Sequence, residues 1–163
     1  MDLRLGIDFG GVIVRPARSP RADTRIDLND GDEIAQDGVF AAIRACVVAS
    51  DGAVWIVSKA GPRTEARTRD WLRKVEFFDQ TDMNPANLHF CLSRPDKAPI
   101  CRDLGITHFI DDTIHVMQIL RGIVPHLFLF GSGSPATTCP PWATPVARWC
   151  DLPHLAGIVP PRD

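Results

Sequence analysis

Two apolar runs in this chain end abruptly on carboxylates, and this pattern restricts the possible folds more than any other. Residues 3 to 8 read Leu-Arg-Leu-Gly-Ile-Asp, and two glycines follow after one further residue. The run from Thr107 to Ile110 is followed directly by Asp111 and Asp112. Strands that deliver acids at their carboxyl ends, with glycines just beyond, build an oxygen-lined cleft in open α/β sheets.

Strand-like and helix-like segments alternate along most of the chain, which is typical of a parallel sheet with helices on both faces. The predicted strands cover residues 3 to 8, 53 to 57, 88 to 92, 107 to 110 and 126 to 130. The predicted helices cover residues 38 to 48, 62 to 74, 99 to 104 and 113 to 120. We therefore predict an α/β fold, a doubly wound Rossmann-like parallel sheet of about five strands, in a single domain.

Two segments do not follow this alternation. Residues 15 to 37 are rich in Arg, Asp, Pro and Gly, so we predict a flap over the cleft. The proline-rich tail, residues 131 to 163, is predicted to pack on the body of the domain through Trp142 and Trp149. We assign no chemistry to this tail.

Composition argues against several classes of protein. The 18 basic and 20 acidic residues nearly balance, so no global field attracts nucleic acid or an anionic membrane. The five cysteines are odd in number and never form a C-x-x-C pair, which fits reduced thiols better than a disulfide framework. A charged Asp8 comes too soon for a signal peptide, and no apolar run approaches membrane-spanning length. We expect a cytoplasmic protein.

Asp8 stands where a strand ends and a glycine-rich turn begins, the placement that a carboxylate nucleophile for phosphoryl transfer needs. Asp111 and Asp112 offer oxygen ligands for a cation that would neutralise the incoming charge. The alternative is that these acids cap loops and helices, and Asp112 is well placed to be the N-cap of the helix from Thr113. Because Asp8 and Asp111 close two separate strands, a functional role is favoured for this pair.

Ser58 closes another apolar run, and its hydroxyl can hydrogen-bond a phosphoryl oxygen. Lys97 lies at the start of a predicted helix, where a cation opposes the helix dipole unless it serves an anion. Taken alone, the serine is more ordinarily a loop cap and the lysine a surface charge.

Lys59 and Arg63 sit close to Ser58 in sequence, so they are our candidates for gathering a polyanionic substrate. The flap and the helix after Ser58 carry further arginines that fit the same role, although a solvated face is the favoured explanation for most of them: Arg15, Arg18, Arg21, Arg25 and Arg67.

The segments around Asp8, Ser58, Lys97 and Asp111, in this order, resemble the motifs of the haloacid dehalogenase-like superfamily of phosphohydrolases. The matching segments are Ile-Asp8-Phe-Gly10-Gly-Val-Ile, Ile-Val-Ser58-Lys, Lys97 and Phe-Ile-Asp111-Asp112. The resemblance implies that Asp8 is the nucleophile and a Mg²⁺ ligand, and that Ser58 and Lys97 orient and neutralise the phosphoryl group. It implies that Asp111, Asp112 and the main-chain carbonyl of Gly10 complete the metal site. We assign Gly11, Lys59 and Arg63 to substrate binding.

Position 10 departs from the family pattern, which has an aspartate there to protonate the leaving group and later activate water. General acid–base assistance is worth about 10²- to 10⁴-fold, so an ester phosphatase that lacks it is slow. Three interpretations remain open. The leaving group needs no proton, as in an acyl phosphate; another residue substitutes, with His108, His115 and Asp23 as candidates; or the site binds metal and phosphate without turnover.

The cap domain of many family members has no room here. Between Asp8 and Ser58 there is space for a flap and one helix, and between Ser58 and Lys97 for one helix and one strand with their loops. The resemblance thus implies a capless member whose open cleft admits a large phosphorylated substrate.

We predict a Mg²⁺-dependent phosphohydrolase that works through an aspartyl-phosphate on Asp8. The alternative is a catalytically inactive protein that binds metal and phosphate or acts in regulation. Dehalogenation uses the same nucleophile, but it ranks lower because it does not call for the paired acids Asp111 and Asp112.

Overall fold

The computed structural model describes residues 2–15, 33–131 and 139–158. Its main sheet contains six strands, all paired in parallel: β1 (Leu5–Ile7), β4 (Val54–Lys59), β5 (Leu88–Cys91), β6 (His108–Asp111), β7 (His126–Phe130) and β8 (Thr144–Val146). Their order across the sheet is β5-β4-β1-β6-β7-β8. Two further short strands, β2 (Val14–Arg15) and β3 (Glu33–Ile34), form an antiparallel ribbon.

In the described ranges, six helices connect or follow the strands of the sheet. They are α1 (Val39–Ala49), α2 (Pro62–Lys74), α3 (Phe77–Thr81), α4 (Lys97–Asp103), α5 (Ile114–Leu120) and α6 (Leu152–Leu155). Pro62 occupies the first turn of α2, where its missing N–H has no helical acceptor to lose. Short 3-10 turns at Arg94–Asp96 and Trp149–Asp151 lead into α4 and α6.

The core consists of two apolar clusters, one on each face of the sheet. Leu5 and Ile7 of β1 belong to the cluster that also contains residues of α1, α2 and α3. Phe109 of β6 belongs to the second cluster, with residues of α4 and α5. Gly6 is required between Leu5 and Ile7, because a Cβ there would run into the Phe109 ring. The predicted doubly wound α/β sheet is confirmed.

The order of the strands brings the two acidic strand ends together. Residue Ile7 of β1 is in register with Ile110 of β6, so Asp8 and Asp111 follow at the same edge of the sheet. The chain runs outward from β1 through β4 to β5 and then returns to the other side of β1. Parallel sheets bind their ligands at such a switch point, outside the carboxyl ends of the strands.

The described part of the C-terminal segment packs on the body through Trp142 and Trp149 and adds a strand that the sequence analysis did not predict. It adds β8 as a sixth strand and buries Trp149 completely. The Trp149 indole N–H donates to the carbonyl of Val12 at 2.8 Å, and its backbone N–H donates to Gln36 Oε1 at 3.0 Å. Trp142 is half-buried against the second cluster, with the Arg121 guanidinium over its ring. This segment therefore braces the turn that follows Asp8.

Most predicted boundaries agree with the structure to within two residues. Helices α3 and α6, the ribbon of β2 and β3, and β8 were missed, since these elements are only two to five residues long. Residues 16–32 of the predicted flap lie outside the described part of the chain, together with Arg18, Arg21, Asp23 and Arg25. The same holds for residues 132–138 and 159–163 of the predicted tail. No helix in the described ranges is long and apolar enough to cross a bilayer.

His108 lies at the wrong edge of the sheet to replace an acid at position 10. It begins β6, whereas Asp111 ends this strand, so the length of the strand separates the imidazole from the acids. The residue is buried, its Nδ1 lies 2.8 Å from Thr107 Oγ1, and its ring stacks on His126. Burial, with the nearby His126 as a second cause, lowers the pKa of His108 to about 4.

This lowered pKa predicts a loss of stability in acid. As the pH falls, histidine in the unfolded chain takes up a proton near its ordinary pKa of 6.5, while folded His108 stays neutral down to about 4. The contribution of His108 to the free energy of unfolding should therefore fall by up to about 3 kcal/mol between these two pH values. His108→Phe, which preserves the aromatic stack, should remove this contribution, so the difference in the free energy of unfolding between wild type and variant should change with pH in urea titrations. The control His115→Phe changes an exposed histidine and should leave the slope as it is.

Candidate active site

Lys97 is the centre of the site. Its Nζ donates to Asp8 Oδ1 and to Asp111 Oδ2, both at 2.8 Å, and the residue is only 2% exposed. The ordinary interpretation of Lys97 as a surface charge is wrong. The lysine is the first residue of α4 and follows a turn that Ser93 and Asp96 fix through a capping box, which brings the ammonium back over the sheet edge.

Burial and mutual charge set the protonation of this cluster. Burial opposes the charged form of Lys97, but the carboxylates of Asp8 and Asp111 outweigh it and raise the pKa of the lysine. Burial, followed by the charge of Asp111, raises the pKa of Asp8 to about 7, although Lys97 acts in the opposite direction. The Asp8 carboxylate therefore depends on nearby positive charge to remain ionised at neutral pH.

Asp111 and Asp112 are held by the start of α5. Asp111 Oδ1 accepts the backbone N–H of Thr113 at 2.9 Å, and Asp112 Oδ1 accepts the Thr113 hydroxyl at 3.1 Å. The N-cap of α5 is Thr113 rather than Asp112, so the capping alternative for Asp112 is wrong. Asp112 is the most exposed of the three acids, and the partial desolvation of its carboxylate, followed by the charge of Asp111, raises its pKa.

The three aspartates form a donor set that fits a hard divalent cation. One carboxylate oxygen each from Asp8, Asp111 and Asp112 can be chosen so that all lie within 4.8 Å of one another. Three carboxylates and the single ammonium of Lys97 leave two formal negative charges when all are ionised. Oxygen ligands with a surplus of negative charge are what Mg²⁺ and Ca²⁺ bind.

A cavity of about 520 Å³ opens beside these acids. The predicted site residues that line it are Asp8, Gly10, Gly11, Ser58, Lys59, Lys97, Asp111 and Asp112. Ser58 is 6% exposed, and within the described ranges its hydroxyl has no hydrogen-bond partner. It is therefore available to a ligand in the cavity.

Two residues that the sequence suggested for substrate binding or for replacing the missing acid lie outside the cavity lining. Arg63 is exposed on α2 and is not among the residues that line the cavity, so this geometry lends no support to its assignment to substrate binding. His115 is exposed on α5 and is likewise outside the lining. In the described part of the chain, the acidic or histidine side chains that line the cavity are Asp8, Asp111 and Asp112 alone. No described residue thus replaces the acid missing at position 10.

Sequence reasoning missed three polar residues in the lining, Thr64, Thr68 and Arg94. The threonines are four residues apart and therefore share one face of α2, which begins just after Ser58. This spacing could have identified both threonines as a pair from the sequence. The place of Arg94 in the cavity was harder to predict, because it depends on the turn that precedes Lys97.

The two glycines after Asp8 differ in whether the structure requires glycine at their positions. Gly11 has a φ of +80°, and a Cβ on it would collide with the Asp112 carboxylate. Gly10 does not have a positive φ, and a Cβ there would meet nothing within 4 Å. Gly11 is thus required by the backbone and by the close approach of Asp112, whereas the space beside Gly10 is open.

Gly11→Ala should destabilise the fold and disturb the acidic cluster. We expect a loss of roughly 1–3 kcal/mol in the free energy of unfolding, from the left-handed conformation and the displaced Asp112. Gly10→Ala is the matched control and should stay within about 0.5 kcal/mol of wild type. Equal losses for the two variants in urea titrations would contradict this account of the turn.

Comparison with known proteins agrees with this arrangement. No family model and no curated protein matches the sequence. A haloacid dehalogenase-like family hydrolase from Xanthomonas campestris superimposes with a TM-score of 0.67 at 10% identity, over 95% of each chain. A putative haloacid dehalogenase-like hydrolase from Burkholderia xenovorans LB400 gives a TM-score of 0.55 at 12% identity, over 75% of this chain and 57% of that one. The chain therefore has the fold of haloacid dehalogenase-like hydrolases, as the sequence resemblance predicted.

Proposed function

We propose that this protein is a Mg²⁺-dependent phosphohydrolase that transfers the phosphoryl group of its substrate to Asp8. The proposal rests on the Asp8 carboxylate. Lys97 holds its Oδ1 at 2.8 Å, while its Oδ2 accepts no hydrogen bond from the described residues. A fixed carboxylate with one free oxygen, at the carboxyl edge of a parallel sheet, suits in-line attack on phosphorus.

The reaction divides into two displacements at phosphorus. In the first, Asp8 Oδ2 bonds to phosphorus, and the bond to the leaving oxygen breaks with its electron pair. In the second, water attacks phosphorus and the bond to Oδ2 breaks. The products are inorganic phosphate and the free Asp8 carboxylate, and the proton lost from water passes to solvent or to the departed anion.

The other residues of the site hold the reacting groups in place. The Ser58 hydroxyl donates a hydrogen bond to a nonbridging phosphoryl oxygen. The Lys97 ammonium orients Asp8 and offsets the negative charge that the phosphoryl group brings. Asp111 acts on Lys97, because it accepts the second hydrogen bond that fixes the ammonium.

Asp8, Asp111 and Asp112 are the side chains that would hold the metal, and the resemblance adds the carbonyl of Gly10. When bound, Mg²⁺ neutralises charge on the phosphoryl oxygens. Mg²⁺ is favoured because it binds through few carboxylates and retains several waters, which suits a site with three acids beside an open cavity.

Gly10 narrows the choice of substrate. With no acid beside the leaving oxygen, the leaving group must depart as an anion, so acyl and aryl phosphates should react much better than alkyl phosphates. The second candidate function is a module that binds metal and phosphate without turnover. Gly10 favours this alternative too, together with the lack of a replacement acid among the described residues that line the cavity.

Asp8→Asn tests the nucleophile. Phosphate release from acetyl phosphate with Mg²⁺ should fall by about 10³-fold or more, because the amide cannot form the phosphoenzyme. Removal of the metal with EDTA should abolish wild-type activity. Asp103→Asn is the control, since this exposed aspartate of α4 is not part of the cavity lining. If wild type and Asp8→Asn release phosphate equally, or neither releases any, the hydrolase proposal fails.

Gly10→Asp separates a competent site that lacks only its acid from a binding module. The side chain has room, because a Cβ at position 10 meets nothing within 4 Å. Hydrolysis of an alkyl phosphate such as glycerol 3-phosphate should rise by about 10²- to 10⁴-fold, because the new carboxyl protonates the leaving oxygen. Acetyl phosphate should gain far less, because acetate leaves without a proton.

Gly10→Asn provides the matched control, with similar size and no transferable proton. A gain shared by the Asn and Asp variants would point to an effect of shape. Bound Mg²⁺ with no gain in either variant would favour the module without turnover.

A further inference from the structure

The cavity beside Asp8 is lined by cations as well as by acids. Its acids stand at the ends of β1 and β6, whereas two of its cations come at or after the ends of β4 and β5 along the chain. Lys59 is the last residue of β4 and pairs with Cys91 of β5, and Arg94 follows that strand by three residues. The order of the strands places Lys59 on the side of Asp8 opposite to Asp111. The turn that carries Arg94 crosses back over the sheet edge and contacts α5.

These two cations are exposed and lack partners within the described ranges. Five other described arginines form ion pairs: Arg15 with Glu33, Arg44 with Asp82, Arg69 with Glu65, Arg73 with Asp70 and Arg148 with Asp151. Lys59 and Arg94 form no such ion pair with a described residue. Their charge is thus available to a ligand in the cavity.

Arg94 is carried by a defined turn. Asp96 Oδ2 accepts both the backbone N–H and the hydroxyl of Ser93, at 2.9 and 2.7 Å, and so closes the turn Arg94–Asp96. The same turn leads directly into Lys97, whose ammonium touches Asp8. The backbone of Arg94 is therefore fixed relative to the nucleophile, although its side chain is exposed.

Lys97 and Ser58 already provide for the phosphoryl group that would be transferred. Lys59 and Arg94 add two positive charges at the mouth of the same cavity, beyond what this group needs. Acidic side chains in the lining are confined, among described residues, to Asp8, Asp111 and Asp112. None of these three acids forms an ion pair with Lys59 or Arg94, so both cations can attract an anion in the cavity.

We infer that Lys59 and Arg94 form a second anion site, so that the preferred substrate is a phosphomonoester whose departing part carries another anionic group. This inference rests on the proposed function. A carboxylate and a second phosphate share the required chemistry. Arg94 has the planar fork that binds either group through two hydrogen bonds, and Lys59 adds a point charge.

The test compares phenyl phosphate with 3-carboxyphenyl phosphate, whose phenol leaving groups differ little in acidity, and with 1,3-phenylene bisphosphate. With Mg²⁺ present, wild type should show a kcat/KM about tenfold higher for at least one of the two doubly anionic compounds than for phenyl phosphate. The better of the two identifies the second group. Lys59→Gln and Arg94→Gln should each bring this preference, the ratio of the two kcat/KM values, close to one.

Arg102→Gln is the matched control, because this exposed arginine of α4 lies outside the lining and should leave the ratio unchanged. A wild-type ratio near one, or a ratio that survives both cavity substitutions, would overturn the inference.

Calorimetric titration of the same three compounds measures binding rather than turnover, so it tests the second anion site independently of the hydrolase proposal. If no compound is turned over, the proposed function fails. A tighter binding of the doubly anionic compounds that Lys59→Gln and Arg94→Gln abolish would then still support the second anion site. Equal affinities of all three compounds for wild type would reject it.

Discussion

The pair of hydrogen bonds from the Lys97 ammonium to Asp8 and Asp111 is the interaction on which the rest of the site depends. It joins the ends of two adjacent strands to the start of α4 in an almost fully buried position. Removing one partner from such a buried ion pair typically costs about 3–5 kcal/mol, because the remaining charges are left without compensation. The same bonds leave Asp8 Oδ2 free, so the contact that stabilises the sheet edge also presents the nucleophile.

The distribution of charge follows from the order of the strands. The order of the connections reverses at β1, which places the acids of β1 and β6 at the switch point, while Lys59 and Arg94 come at or after the ends of β4 and β5 along the chain. A phosphorylated ligand that enters this cavity would meet both the acids and these cations before it reaches Asp8. Substitutions of the aspartates should affect metal binding, and substitutions of Lys59 and Arg94 should affect recognition of the leaving group.

Much of this arrangement could be predicted from the sequence. Short apolar runs lead up to Asp8, Ser58 and Asp111, and such runs followed by polar residues are typical of buried parallel strands. Burial of Lys97 could not be predicted from its neighbours, since its partners are 89 and 14 residues away. The sixth strand escaped notice because Thr144–Val146 contains Pro145, a residue that argues against a strand unless it lies at an edge, where β8 is found.

The hydrogen bond from the Trp149 indole to the carbonyl of Val12 has a consequence for the order in which parts of the structure can form during biosynthesis. It links positions 137 residues apart, and the same tryptophan holds Gln36 at the base of the ribbon. A nascent chain can form β1 and pair it with β4 long before residue 149 leaves the ribosome. The hydrogen bond from Trp149 to the turn that carries Gly10 and Gly11 can form only afterwards. The cavity beside Asp8 is therefore completed after β1 and β4 have paired.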